Sequence, residues 1–294
     1  MLPVVSPPPP SVPKRAIIYA HFDPHGQFDP HVQNALASWR AVADRLVVVS
    51  AAGTEPPAAV RRLVDHCILR ANDGYDFCSW KAGLASLEPG LHDEVVCVND
   101  SVYGPLSDPA VLFSDLRIAA ADLWGMVLSE QAPLRRGIRR PHIQSWFFAM
   151  RRPFLASPTC AEFWHQVEPL PKKAEIVDRY EIGLTERAMA AGFHVAALYD
   201  ARDAGRIAVG ELLPHLSLAA PGRAWRLLRK ARRSTHNPSE LAWWRLLATG
   251  VPFVKVGLFR VNHYGLALGR LEAELSHRHP RHLALIRGHL ARCG

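Results

Sequence analysis

Four short apolar runs most constrain what this chain can fold into: RAIIYA at 15–20, RLVVVS at 45–50, HCILRA at 66–71 and EVVCVND at 94–100. Each is too short for a typical helix, and all four read as strands. Between the first two lies DPHVQNALASWRAVAD. Asp29 is placed to cap, Pro30 suits the first helical position, and Val32, Leu36, Trp39 and Val42 or Ala43 recur at helical spacing. SWKAGLASL reads as a short helix before the fourth strand. Strands alternating with helices at this spacing predict a mainly parallel sheet covered on both faces.

The pattern continues with DLWGMVLSE as a strand, PTCAEFWHQV as a helix, DRYEIGLTERAMAAGF as a helix closed by Gly192, and HVAALYD as a strand. Beyond about residue 215 the character changes to basic and helical. The expected organisation is a Pro-rich lead-in over 1–15, an α/β domain over 16–215 and a helical region over 216–294. The lead-in MLPVVSPPPPSVPKR lacks an apolar core of signal-peptide length. No run is apolar and long enough to span a bilayer. Five cysteines without CxxC spacing predict reduced thiols and a cytoplasmic protein. The formal charge of +8 suits an anionic partner: a nucleotide-sugar, a membrane surface or nucleic acid. No nucleic-acid recognition motif accompanies it.

In sheets of this kind ligands bind beyond the carboxyl ends of the strands. Three polar clusters fall there: His21–His25, RANDGYD and VNDSVYGP. In AHFDPHGQFDPH, the residues His21, Asp23 and His25 carry zinc-binding groups, as a zinc-dependent hydrolase or deacetylase would. The weight lies with a strand-end loop that lines a pocket. In the second cluster Asn72 lies in a turn; Asp76 either caps a helix or accepts bonds from a nucleobase or ribose. Lys81 is either solvated or faces a phosphate. Asp100 follows a buried strand, where a carboxylate can hold Mg²⁺ or Mn²⁺ against a diphosphate. Glu181 near a helix start is either a dipole partner or a general base.

RANDGYDFCSWKAGL, VNDSVYGPL, DLWGMVLS, HIQSWFFAM, DRYEIGLT and NPSELAWWRLLATGVPFVK occur in that order, and with them the chain resembles the rhamnan synthesis F family over roughly residues 16 to 260. The resemblance implies an A-type glycosyltransferase fold, Rossmann-like, with a small helical C-terminal region. It implies an inverting transferase of bacterial cell-surface polysaccharide assembly, moving L-rhamnose from dTDP-β-L-rhamnose to a glycan or lipid-linked glycan. The fold's usual Asp-x-Asp metal motif corresponds here to Asn99-Asp100-Ser101, with one acid. Aligned on Gly192, the family's second acid falls on Glu181 as the base, with Tyr180 in place of the first. His21 then lines the donor pocket with Asn72, Asp76, Lys81 and Asp100. His142 and Gln144 fall on the acceptor side, with Trp124 as a sugar-stacking platform or a core residue. The basic stretch Arg223–Arg233 either lies on an anionic membrane or is a solvated face. A non-catalytic glycan-binding relative is the remaining alternative.

Overall fold

A computed structural model describes residues 13–131, 139–216, 222 and 236–293. Eight strands form one sheet. They are β1 (Arg15–His21), β2 (Arg45–Ser50), β3 (His66–Leu69), β4 (Glu94–Asn99), β6 (Leu123–Ser129), β7 (His142–Ile143), β8 (Phe147–Arg151) and β9 (Val195–Asp200). The order is β3-β2-β1-β4-β8-β6-β7, with β9 on β6. The apolar runs at 66–71, 45–50, 15–20 and 94–100 form the four parallel neighbours β3, β2, β1 and β4. Strand β8 enters antiparallel between β4 and β6, and β6 pairs parallel with β9.

Every residue of β1, β4 and β6 is buried, because apolar cores lie on both faces of the sheet. Helix α1 (Pro30–Arg40) buries Val32, Ala35, Leu36 and Trp39 against one face. Helices α2 (Tyr75–Ala85) and α3 (Pro158–His165) cover the other through Phe77, Trp80, Phe163 and Trp164. A wide-turned segment, Val177–Ile182, leads into α4 (Gly183–Ala190). Gly192 closes that helix at φ +85°, where a glycine avoids the steric cost of a side chain.

The described part of the C-terminal region is not a separate body. Its helices include α5 (Trp243–Ala248), α6 (Gly269–Arg278) and α7 (Pro280–Cys293). Leu246, Leu271, Leu275, Leu283 and Ile286 join the same cluster as Ile17 and Leu36. A small two-stranded sheet, β5 (Val102–Tyr103) with β10 (Val254–Lys255), ties this region to the end of β4. All five cysteines are free. No described helix is long and apolar enough to cross a membrane. The basic stretch Arg223–Arg233 lies outside the described residues, as does most of the Pro-rich lead-in.

One cap differs from expectation. The Asp29 side chain does not bond to the start of α1. It accepts from Arg292 instead, at 2.6 and 3.0 Å. A guanidinium offers a charged partner that a backbone amide cannot match.

Candidate active site

The carboxyl ends of β1, β3 and β4 meet at one edge. The turn before α2 needs Gly74, at φ +68°, since a Cβ there would sit 2.3 Å from Cys78 Sγ and 2.8 Å from the Pro169 backbone. That turn delivers Asp76 into the first turn of α2. Asn99, the last residue of β4, donates from Nδ2 to Asp76 Oδ2 at 2.7 Å. Its Oδ1 accepts from the Ser101 amide at 3.1 Å and the Ser101 hydroxyl at 2.6 Å. The next residue, Asp100, accepts from the Phe22 amide at 2.6 Å, which joins the loop after β1 to the end of β4.

Lys255 arrives from the other end of the chain. β10 sets it opposite Val102, and its Nζ donates to Ser101 Oγ at 2.9 Å. The ammonium lies 5.4 Å from the centre of the Trp146 ring, within cation–π reach.

Glu181 forms the facing wall. Its Oε2 accepts from the Ser145 amide at 2.9 Å and from the Ser145 hydroxyl, and His142 Nε2 stands 3.7 Å from Oε1. His142 Nδ1 lies 2.9 Å from the Arg140 carbonyl, which can only accept, so Nδ1 carries the proton. The Glu181 side chain is 18% exposed, enough to meet a ligand while its orientation is held.

The electrostatics of this edge are unbalanced towards acid. Asp100 is pushed up to about 8, by burial first and by the Asp76 charge second, although the Phe22 and Asp100 amides pull it down. Asp76 is raised too, by burial above all, with the Asn99 amide opposing. Burial pulls the Lys255 ammonium down to about 8, against the charges of Glu181, Glu240 and Asp76. Each of these three residues is half-buried.

Asp76, Asp100, Glu181 and His142 of the sequence-predicted residues are therefore brought to this edge. Others are placed elsewhere. Lys81 donates to the His165 and Val167 carbonyls at 3.0 and 2.6 Å, closing the end of α3 rather than facing a phosphate. Trp124 is fully buried and donates to Glu94 at 2.8 Å, so it is core and not a stacking platform. His21 is stacked on Phe28 at 3.9 Å, with its ring nitrogens on Ser50 and the Gln27 carbonyl. Its ring pins the loop and has no nitrogen left for a donor. Gln144 is buried and bonded to Asn237, Trp146 and Ser239, so it shapes the wall behind Glu181 without a free group. Asn72 is exposed on the turn.

The zinc set does not converge. Asp23 accepts from the His25 and Gln27 amides at 2.8 and 3.1 Å and pairs with Arg292, while His21 is engaged as described. A neighbouring trio, Asp29, His31 and His289, has ligand atoms within 4.8 Å of one another. Arg292 already donates twice to the Asp29 oxygen there, so a guanidinium occupies the place a cation would take. Sequence reasoning placed Asn99 and Ser101 at this edge without giving them a role, and missed Ser145 and Lys255. For Lys255 the signal was present: a short apolar run, VPFV, that ends on a lysine.

A parallel α/β core with an inserted antiparallel strand, and titratable groups gathered past the strand ends, is the architecture of an A-type glycosyltransferase. The family model for rhamnan synthesis protein F matches residues 46–220, and the chain belongs to that family. The match is narrower than the span of the quoted motifs and stops before Lys255. No curated protein matches the sequence. Among solved structures, a CMP:2-keto-3-deoxy-manno-octonic acid synthetase complexed with CTP is similar at 14% identity over 63% of this chain and 89% of that one, with a TM-score of 0.37. Glucosyl-3-phosphoglycerate synthase from Mycobacterium tuberculosis with Mg²⁺ and uridine-diphosphate shows 12% identity over 64% and 69%, also with a TM-score of 0.37. A glycosyltransferase from Streptococcus pneumoniae shows 13% over 63% and 45%, at the same TM-score. Likenesses this distant carry no argument about the site.

Proposed function

We propose that the protein is an inverting glycosyltransferase of bacterial cell-surface polysaccharide assembly, using dTDP-β-L-rhamnose as donor and a glycan or lipid-linked glycan as acceptor. The observation that carries the reading is the orientation of Glu181. Two bonds from Ser145 hold its carboxylate across from the Asp76–Asn99–Asp100 edge, with His142 Nε2 3.7 Å from its other oxygen. Glu181 takes the proton of the acceptor hydroxyl. The hydroxyl oxygen bonds to the anomeric carbon, and the carbon–oxygen bond to the diphosphate breaks, its electron pair leaving with the diphosphate. Attack from the side opposite the leaving group inverts the centre. The proton on Glu181 has a next acceptor in His142 Nε2.

The fold implies Mg²⁺ or Mn²⁺ here, and the residues fit one. Asp76 and Asp100 offer oxygen donors, and mutual repulsion of buried carboxylates is what a divalent cation relieves. Asp100 and Asp76 would hold it. When bound it supplies positive charge to the diphosphate. Rhamnose as the sugar and the membrane face as the place rest on the family and on the basic stretch Arg223–Arg233.

A thermal-shift and calorimetry screen of dTDP-, UDP- and GDP-linked sugars, with and without Mn²⁺, tests the donor. A selective shift with dTDP-rhamnose is expected. A UDP- or GDP-sugar binding in its place removes rhamnose from the reading, and no shift with any of them removes the transferase. For the base, Glu181→Gln should slow transfer by about 10²- to 10⁴-fold while donor affinity stays within about threefold. Turnover at the wild-type rate would take Glu181 out of the mechanism.

A further inference from the structure

We propose that the Lys255 ammonium is the group that contacts the donor's diphosphate, as a fixed cation supplied by the C-terminal region. This rests on the glycosyltransferase reading above. An ammonium has three N–H donors. Among the described residues, Lys255 Nζ has one hydrogen-bond partner, the Ser101 hydroxyl at 2.9 Å. No described carboxylate forms an ion pair with it, although Glu181, Glu240 and Asp76 are near enough for their charges to act on it. A partly buried charge with donors unspent carries a desolvation cost unless something else uses them. By comparison, the Lys81 ammonium finds two carbonyl partners within the protein.

Position points to the ligand. Ser101, Asn99 and Asp76 form one hydrogen-bonded line along the strand ends, and Lys255 terminates it. Its ammonium lies over the ring of Trp146, next in sequence to the Ser145 that holds Glu181, and it bonds to Ser101 on the donor edge. It is therefore near both the base and that edge, where the oxygens of a departing diphosphate gain negative charge. Fixed cations at that point favour the transition state over the ground state. β10 holds the backbone of Lys255 in register with β5, so the group is pre-organised rather than recruited.

The experiment is calorimetry of dTDP and UDP, with thymidine and uridine as phosphate-free controls, on wild type, Lys255→Met and Lys255→Arg, in EDTA and in Mn²⁺. Lys255→Met should weaken the nucleoside diphosphate that the wild type binds by about 10- to 100-fold in each condition where the wild type binds it. It should leave nucleoside binding unchanged, and Lys255→Arg should recover most of the loss. Equal diphosphate affinity in wild type and Lys255→Met overturns the assignment. A wild type that binds neither diphosphate in either buffer overturns the glycosyltransferase reading instead. If the variants do not fold, amine labelling of the wild-type protein read by mass spectrometry gives the answer. Nucleoside diphosphate should slow modification of Lys255 several-fold where nucleoside does not. An unchanged labelling rate rejects the contact.

Discussion

The two ends of strand β4 begin and finish on polar side chains, and they are handled in opposite ways. At the amino end, Glu94 is buried and saturated. It accepts from Arg15 at 2.6 Å, Trp124 at 2.8 Å and Arg151 at 3.2 Å. At the carboxyl end, Asp100 sits beside Asp76 with a raised affinity for its proton, and Lys255 keeps donors unspent. The same six-residue strand thus separates a finished network from an unfinished one. Buried polar groups in a structural role are paired. Those left short of partners are where a ligand completes the set.

The contrast breaks most sharply at Glu94. Glu94→Ala strands Arg15 and the Trp124 indole, and should cost about 3–5 kcal/mol in chemical denaturation. Nucleotide affinity of the folded fraction should be unchanged. A matching loss of affinity would mean the two ends are coupled. Trp124→Phe removes one partner of Glu94 and some packing, an expected loss of about 2 kcal/mol by the same assay. Acceptor kinetics should be untouched, which also tests its placement in the core.

At the other end the sign reverses. Asp100 has a folded pKa near 8, above its ordinary value. Its contribution to stability is therefore present at low pH and is lost as pH rises from about 4 through about 8. In EDTA, Asp100→Asn should be more stable than wild type at pH 8 by about 1 kcal/mol or more, and the difference should vanish near pH 4. A variant less stable at pH 8 would show that the charge is welcome there. The smallest effect is expected at Lys81. Lys81→Met loses two carbonyl contacts at the end of α3, about 0.5–1 kcal/mol by thermal unfolding. Donor affinity should stay the same; a fall would return Lys81 to the phosphate side.

The parallel core was legible because buried strands leave an unmistakable apolar run, and because helical spacing survives between them. The carboxyl-end clusters were legible from the same pattern, since a polar turn must follow a buried strand. That is why Asp76 and Asp100 could be named from the sequence. Partners were less accessible. Lys81, Trp124 and Gln144 have the chemistry expected of ligand contacts, but each spends it inside the protein. Asp29 sits at an ideal capping position and instead binds Arg292, 263 residues away. Local propensity cannot see a charged partner that arrives only when the last helix docks.

The chain by itself determined the parallel strands, the helices between them and the acids that follow them, because these depend on side-chain periodicity and on turn chemistry over a few residues. The tertiary structure alone decided which polar groups would be satisfied. It inserted β8 antiparallel beside β4, brought Ser145 and His142 to Glu181, and laid β10 on β5 so that Lys255 reaches Ser101 across 154 residues. The physical reason is that a hydrogen-bond donor is used or left over according to what packs beside it, and that is a property of the whole fold.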